Sequence, residues 1–263
     1  MIDQEIQQRL NWALDGSRDA AELVLTYYQQ SDLQVETKAD STPVTLADQG
    51  AEQLLRAQIA RYFPQDGILG EEFGSTEGTS GFRWILDPID GTKSFVHGTP
   101  LFGTLVGLQH AGRSVAGVCR FPALDEVVYA QQGQGAWWAR KEGKPQSARV
   151  SSVGTLDQAT FCFTSVNGWM TVNRLPLFEQ LVQATRISRG WGDCYGHMLV
   201  ATGRADLMID PLLNAWDAAA LLPIIQEAGG VFMDWTGECT IDGGNGISTI
   251  PELRQSVLDM LPR

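Results

Sequence analysis

The sequence has few cysteines and histidines, and none of them has a spacing that indicates a known kind of site. The cysteines stand far apart, without a Cys-x-x-Cys pair, at Cys119, Cys162, Cys194 and Cys239. This pattern indicates neither a zinc site nor a disulfide framework, and it favours reduced thiols in a cytoplasm. The three histidines are His97, His110 and His197. Without a Gly-x-Ser-x-Gly elbow or a Walker-type glycine loop, they give little support to a Ser-His-Asp hydrolase or a P-loop enzyme.

Positive charge and long apolar runs are also scarce. Lys and Arg number 19 against 31 Asp and Glu, so the formal net charge is -12. We therefore expect no binding to nucleic acid, whereas clustered acids would attract metal cations. No run approaches the ~18 apolar residues that span a bilayer, and residues 1–10 are polar, so neither export nor membrane anchoring is predicted. A 43% hydrophobic chain of 263 residues suits one large domain or two closely packed ones.

The most informative stretch is an apolar run, residues 84–86, that ends in acids. Its large and β-branched residues favour a buried strand, and Pro88 is expected to end the strand's hydrogen-bonded ladder after Asp87. Asp90 falls at a predicted helix start. There Gly91 lets a ligand approach the backbone, and free amide groups can bind a phosphate. The alternative is that Asp87 is only a turn residue and Asp90 only a helix cap.

A second apolar strand, predicted within residues 66–74, also stops in an acid, Glu71. If the two strands are neighbours in one sheet, Glu71 and Asp87 emerge side by side at the same edge. Their repulsion would be costly unless a cation lies between them. The pattern therefore argues for a metal site.

Two other acids lie at predicted helix starts. Asp48 follows Thr45 by three residues, so its alternative role is the capping box of the helix that follows. Asp217 begins the helix predicted over residues 216–228, where its alternative role is to interact with the helix dipole. Together with Glu71, Asp87 and Asp90, Asp217 offers hard oxygen ligands without His or Cys, which favours Mg²⁺. Two such ions ~3.5 to 4 Å apart can activate a water and stabilise a leaving oxygen in an in-line displacement, so phosphate-ester hydrolysis is the expected chemistry.

The remaining pattern predicts a mixed α/β (α+β) chain. Helices are predicted over residues 2–30, 46–63, 176–184, 193–202, 216–228 and 251–261, with strands at 33–37, 159–164, 205–210, 231–234 and 246–250 and an antiparallel meander over 101–139. The charged stretch 140–145 is the predicted boundary between an N-terminal α+β subdomain, residues 1–143, and a C-terminal α/β subdomain, residues 144–263.

Taken in order, these segments resemble the inositol monophosphatase-like family of magnesium-dependent, lithium-sensitive phosphatases. The segments are residues 38–48, 70–72, 87–92, 216–220 and 227–230. The resemblance implies a sandwich of alternating helix and sheet layers, two or three Mg²⁺ per site, and a homodimer. It implies that the metal ligands are Glu71, Asp87, the carbonyl of Ile89, Asp90 and Asp217. It also implies that Gly91 and Thr92 hold the phosphate, and that Thr92 and Asp48 orient the nucleophilic water.

Residues 189–197 resemble the histidinol-phosphatase branch of this family, as do residues 99–104 and 234–237. Histidinol phosphate carries an ammonium and an imidazole, which Asp193 and Asp210 could bind. The predicted substrate-binding residues are therefore Lys38, Gly91, Thr92, Arg189, Trp191, Asp193 and Asp210. As alternatives, Asp193 caps the helix that follows, and Trp191 and Tyr195 belong to the core instead of stacking on imidazole.

The sequence thus predicts a cytoplasmic Mg²⁺-dependent phosphomonoesterase that hydrolyses histidinol phosphate to histidinol and phosphate in histidine synthesis. An inositol-1-monophosphatase, or a phosphatase of sugar or nucleotide phosphates, is the alternative within the family. A regulatory or interaction protein that keeps the fold is the alternative from another class. The complete set of acids counts against that last reading.

Overall fold

The computed structural model describes residues 2–30, 35–37, 43–141 and 143–261. Lys38, predicted to bind substrate, lies outside the described residues. The helices are α1 (Ile2–Tyr27), α2 (Leu46–Tyr62), α3 (Thr92–Val96), α4 (Val166–Thr171), α5 (Leu175–Ala184), α6 (Asp193–Ala201), α7 (Ala215–Glu227) and α8 (Arg254–Met260). Among these helices, none combines the length and the apolar character needed to cross a membrane.

The strands form a large sheet, a smaller sheet and a short ribbon. They are β1 (Val35–Thr37), β2 (Pro43–Thr45), β3 (Gly67–Gly70), β4 (Gly74–Thr76), β5 (Phe82–Asp90), β6 (Gly103–His110), β7 (Arg113–Phe121), β8 (Glu126–Gln131), β9 (Ala136–Arg140), β10 (Gln146–Ala148), β11 (Thr160–Cys162), β12 (Ile187–Arg189), β13 (Leu207–Asp210), β14 (Val231–Met233) and β15 (Gly246–Thr249). The large sheet has the order β10-β9-β8-β7-β6-β5-β3-β4, the smaller sheet has β12-β11-β13-β15-β14, and β1 pairs with β2.

Helices and sheets alternate in layers because the apolar face of each layer is buried against the apolar face of its neighbour. Helices α1 and α2 pack on one face of the large sheet, and α6 and α7 lie between the two sheets. Helices α5 and α8 cover the far face of the smaller sheet. Examples from the three apolar clusters are Leu10, Leu55 and Trp84 in the first, Cys119, Met198 and Leu221 in the second, and Phe161, Leu181 and Val257 in the third. The predicted layered α/β architecture is confirmed.

Helix α7 approaches the large sheet unusually closely. A Cβ atom added to Gly107 would lie 2.7 Å from Ala219 Cβ, and one added to Gly117 would lie 2.3 Å from the carbonyl oxygen of Ala220. Real Cβ contacts essentially never become that short. Glycines in β6 and β7 therefore let the alanines of α7 sit directly on the sheet, which fixes the position of the first turn of α7.

The predicted end of the central strand was wrong. Pairing runs from β5 to β6 as far as Asp87 opposite Leu105, shifts register, and resumes with Asp90 opposite Gly103. Pro88 has no amide hydrogen and cannot donate to the neighbouring strand. The pairing is interrupted at Pro88 by an irregularity and then resumes. The hydroxyl of Thr104 satisfies the carbonyl of Pro88 at 2.9 Å.

Other local predictions needed correction. Asp90 is the last residue of β5, and the N-cap of α3 is Gly91, so Asp90 is not a helix cap. The strand predicted within residues 66–74 is β3, and the loop predicted after it contains a short strand, β4, that pairs antiparallel with β3. Strands β2, β4, β10 and β12 and helix α4 were not predicted. The division at residues 143 and 144 stays a prediction, and β10, which follows that point, pairs with β9.

Replacing Gly117 with alanine is expected to destabilise the protein by about 1–3 kcal/mol, because α7 must move away from the sheet. Gly154→Ala is the matched control, since an added Cβ at Gly154 meets no atom within 4 Å. Urea unfolding of the two variants and the wild type measures the difference. Equal stability of Gly117→Ala and the wild type would show that the close contact does not constrain α7.

Candidate active site

Two parallel strands bring the first pair of acids together. Strand β3 runs beside β5 with Gly70 opposite Leu86, so the next residues along the two strands, Glu71 and Asp87, lie at the same edge. The amide of Glu71 donates to the carbonyl of Leu86 at 3.2 Å. The predicted adjacency of these two strand ends is therefore confirmed.

A buried carboxylate on α2 holds the chain around Glu71. Glu52 is fully buried and accepts hydrogen bonds from the amides of Glu72 at 2.8 Å and Phe73 at 3.2 Å. Arg56 also donates to it at 2.7 Å. A Cβ atom at position 70 would lie 2.0 Å from the Glu52 carboxylate, so only glycine fits there. Glu52 thus fixes the turn that carries a predicted metal ligand, and the sequence pattern gave no sign of this role.

The end of β5 supplies two further acids. Asp87 is almost completely buried, and its Oδ1 accepts the amide of Ile89 at 3.1 Å. Asp90 Oδ2 accepts the amide of Cys194 at the start of α6. These donors orient the carboxylates but do not neutralise their charge.

The third element is the start of α7. Asn214 is the N-cap, and Asp217 at the third helical position accepts the amide of Asn214 at 2.7 Å, which completes a capping box. Carboxylate oxygens of Asp87, Asp90 and Asp217 all lie within 4.8 Å of one another. Asp217 therefore caps the helix and also belongs to an acidic cluster.

Burial raises the pKa of each acid in this cluster. The pKa of Asp90 rises to about 7, mainly through burial and then through the charge of Asp217. Burial likewise raises the pKa of Asp217 to about 7. The pKa of Asp87 lies well above its ordinary value because of burial and the neighbouring Glu71, Asp90 and Asp217. An all-oxygen donor set whose negative charges repel one another fits a hard divalent cation such as Mg²⁺.

Asp48 and Thr92 do not contact each other in this structure. Asp48 Oδ2 accepts the backbone amide of Thr45 at 2.7 Å and its hydroxyl at 2.6 Å, so the alternative capping-box role is real. Burial raises the pKa of Asp48 to about 6, with Glu71 adding to the effect. The Thr92 hydroxyl donates to the carbonyl of Ile89 at 3.1 Å. The hydrogen bond that the predicted water-orienting pair requires is therefore absent, and their catalytic role stays a prediction.

The acidic cluster opens into a cavity of about 440 Å³. Asp90 and Asp217 line it on one side, and Asp193 and Asp210 line it as well. A Cβ atom on Gly91 would lie 3.2 Å from Asp193 Oδ2, so Asp193 stands directly against the predicted phosphate-binding residues. Burial, and then the carboxylates of Asp90 and Asp210, raise the pKa of Asp193 well above its ordinary value. The N-cap of α6 is Gly192, so Asp193 is not that helix's cap.

Other predicted substrate residues lie elsewhere. Arg189 is exposed and donates to the carbonyl of Ser188, and Trp191 is 39% exposed; neither lines the cavity. Tyr195 packs edge-on against Phe121 with ring centroids 5.1 Å apart, as the core alternative required. The polar or small cavity residues that sequence reasoning missed include Lys93, Thr164, Ser165, Asn167, Gly168 and Thr171. Apart from Lys93, they come from the connection after β11 and from α4, where no periodic pattern marks a site.

Comparison with known proteins agrees with this geometry. The sequence profile of the inositol monophosphatase family matches residues 5–258 of this chain. The chain belongs to the inositol monophosphatase family. It is 43% identical to a histidinol-phosphatase of Chlorobaculum parvum over 90% of both chains, and 38% identical to one of Streptomyces coelicolor over 96% of both. An inositol monophosphatase structure from Zymomonas mobilis superposes with a TM-score of 0.84 at 30% identity, covering 97% of this chain and 98% of that one.

Membership in the inositol monophosphatase family makes the chain a phosphoric monoester hydrolase that acts on small phosphate esters. The family depends on metal, typically Mg²⁺, and the acidic cluster supplies suitable donors. The acidic cluster and the family membership thus point to the same metal-dependent chemistry.

Mg²⁺ is expected to stabilise the protein more at about pH 8 than at about pH 5. The folded pKa values of Asp90 and Asp217, about 7, lie above the ordinary 3.8. The metal-free folded state therefore holds protons that the unfolded chain releases, and it loses stability as pH rises through this range. A cation needs the deprotonated carboxylates, so its stabilising effect grows over the same range. Melting temperatures with and without Mg²⁺ at the two pH values measure this; an equal Mg²⁺ effect at both would contradict it.

Glu52→Gln is expected to weaken Mg²⁺ binding roughly tenfold, because the Gln amide turns a donor toward backbone amides that need an acceptor. Calorimetric titration with Mg²⁺ measures the affinity. Glu179→Gln, an exposed position on α5, is the matched control. If both variants bind Mg²⁺ like the wild type, Glu52 does not position the Glu71 turn.

Proposed function

We propose that this protein is a Mg²⁺-dependent histidinol-phosphatase that acts in histidine synthesis. The observation that carries the proposal is the pair of acids Asp193 and Asp210 in the same cavity as the acidic cluster. Asp90 and Asp217 suit metal and phosphate, and Asp193 and Asp210 beside them offer negative charge to a cationic leaving group. The names of the relatives from Chlorobaculum parvum and Streptomyces coelicolor support the same substrate.

In this proposal the metal ligands are Glu71, Asp87, the carbonyl of Ile89, Asp90 and Asp217, and they hold two or three Mg²⁺. Bound Mg²⁺ supplies Lewis-acid stabilisation of phosphate charge and lowers the pKa of water. The protein's own contribution is to fix the donors on three elements, β3, β5 and α7, before the substrate arrives. The amide donors from Ile89, Cys194 and Asn214 orient the carboxylates of Asp87, Asp90 and Asp217.

Gly91 and Thr92 would hold the phosphate at the start of α3. Gly91 has φ +83, a left-handed conformation that glycine adopts without strain, and it turns the chain from β5 into the helix. The first amides of α3 have no partner within the helix and are free to donate to phosphate oxygens. Thr92 would turn its hydroxyl from the carbonyl of Ile89 toward Asp48, donate its proton to that carboxylate and accept one from the attacking water, so that the water's proton ends on Asp48.

Asp193 and Asp210 would recognise the ammonium and imidazole groups of histidinol. Burial of Asp193 among other carboxylates disfavours its charged form, and a bound cation offsets that repulsion. Inositol has no cationic group and would not supply this compensation. The difference favours histidinol phosphate over neutral-alcohol phosphates.

We extend the proposal to a lithium-sensitive homodimer in the cytoplasm. All four cysteines are free thiols, in keeping with a reducing compartment. Trp191 and Leu212 are exposed apolar side chains, and Leu212 also lines the cavity, so a second subunit at this side could cover both. Sedimentation equilibrium of the purified protein would decide; a monomer at micromolar concentration would contradict the dimer.

The test is phosphate release from histidinol phosphate, inositol-1-phosphate and a nucleotide 3'-phosphate, with and without Mg²⁺. We expect Mg²⁺-dependent release with the highest kcat/KM for histidinol phosphate. Faster turnover of inositol-1-phosphate would overturn the substrate assignment. No release from any ester would favour a regulatory protein on the same fold.

In the same assay, Asp193→Asn is expected to raise KM for histidinol phosphate roughly tenfold more than KM for inositol-1-phosphate, because only the first substrate loses a charge-assisted contact. Asp157→Asn, in the turn before β11, is the matched control. Equal effects of Asp193→Asn on the two substrates would reduce Asp193 to a structural residue.

A further inference from the structure

His197 is a completely buried histidine that the site described above does not use. It lies on α6 with no exposed surface. Its ring bridges two strands of the smaller sheet: Nε2 lies 3.2 Å from Asp210 Oδ2 on β13, and Nδ1 lies 2.7 Å from Ser248 Oγ on β15. Ser248 is also fully buried and does not line the cavity, so these residues do not form a nucleophilic triad.

The donor and the acceptor of each hydrogen bond around His197 can be assigned. A charged Asp210 only accepts, so His197 Nε2 carries the proton and donates to it. The other ring nitrogen of a neutral imidazole is an acceptor, which leaves the Ser248 hydroxyl as the donor to Nδ1. On the opposite side, the Thr164 hydroxyl donates to Asp210 Oδ1 at 2.5 Å. Both oxygens of Asp210 are therefore held from within the protein.

The same series of hydrogen bonds reaches Asp193. The amide of Asp193 donates to Thr164 Oγ1 at 2.8 Å, and Asp193 has φ +51, a conformation that costs free energy for a residue with a Cβ. The hydrogen bond to Thr164 helps to hold it there. Ser248, His197, Asp210, Thr164 and Asp193 thus form one continuous series of hydrogen bonds that ends at the cavity.

We propose that His197, oriented by Ser248, is a positioning residue that sets substrate specificity by holding Asp210 and, through Thr164, Asp193 toward a cationic leaving group. This inference rests on the proposed function, because it concerns the cationic half of the substrate. The acids of the metal cluster lie at the end of β3, on β5 and on α7, and the donors to Asp87, Asp90 and Asp217 are the amides of Ile89, Cys194 and Asn214, none of which belongs to this series.

A role in packing alone makes a different prediction. The centroid of the His197 ring lies 6.2 Å from that of the Phe232 ring, so the imidazole also packs against an aromatic neighbour. If His197 only fills space, phenylalanine at this position should change the kinetics of all substrates alike. If His197 positions Asp210, the loss of the Nε2 donor should act on cationic substrates selectively.

The first experiment compares His197→Phe and His197→Gln with the wild type, using histidinol phosphate and inositol-1-phosphate. His197→Phe should raise KM for histidinol phosphate roughly tenfold more than KM for inositol-1-phosphate, since Asp210 loses a donor. His197→Gln, whose Nε2 can replace the lost donor, should recover most of the difference. His110→Phe, a histidine that packs against Phe82 on the large sheet, is the matched control. Equal effects on both substrates, or no recovery by Gln, would overturn the inference.

The second experiment does not depend on activity. Nitrogen-15 NMR of the three histidine rings should show His197 as the Nε2–H tautomer in the wild type, identified by its loss in His197→Phe. Ser248→Ala removes the donor to Nδ1 and should change this signal. A wild-type His197 in the Nδ1–H form would overturn the inference even if the kinetics agreed. A wild type that does not prefer histidinol phosphate would instead overturn the proposed function, while the tautomer still decides whether His197 donates to Asp210.

Discussion

Mutual repulsion among carboxylates is the constraint on which the rest of this structure depends. Asp87, Asp90 and Asp217 place their oxygens within 4.8 Å of one another in a largely buried space. No single element could hold them there, because adjacent strand residues point to opposite faces. The fold uses an irregular point in β5 and the first turn of α7, and backbone amides hold each acid in place. The resulting site is unfavourable without a cation and suited to binding one.

The layered architecture makes it possible to bring these three acids together. Helix α7 lies between the two sheets, and glycines of β6 and β7 let its Ala219 and Ala220 pack directly on the large sheet, close after the first turn that carries Asp217. Helix α6 lies in the same layer. The amide of Cys194 in its first turn donates to Asp90, and its first residue, Asp193, lines the cavity. The central helical layer therefore carries both a predicted metal ligand and the predicted recognition of the leaving group.

Sequence reasoning succeeded where local rules decide the outcome. Strands that end in acids indicated that Glu71 and Asp87 would be adjacent if the strands were neighbours, and the Thr45–Asp48 spacing indicated a capping box as the alternative role of Asp48; the structure contains both features. Sequence reasoning failed where long-range contacts decide. The hydroxyl of Thr164 joins Asp193 to Asp210 across distant segments, and no local pattern marks it. Pro88 was expected to end a strand, but the Thr104 hydroxyl and a register shift allow pairing to resume. Nothing in the sequence told exposed Trp191 from buried Trp169.

The cavity has two walls that rest largely on different elements, and this arrangement bears on how such an enzyme can acquire new substrates. The acidic cluster depends on β3, β5 and α7, whereas the other wall comes from the connection after β11, the start of α6 and the end of β13. The two walls meet at Cys194, whose amide holds Asp90, so the start of α6 cannot change freely. A designer could instead exchange residues 164–171 as a cassette to alter which alcohol fits, because no residue of that segment donates a hydrogen bond to Asp87, Asp90 or Asp217.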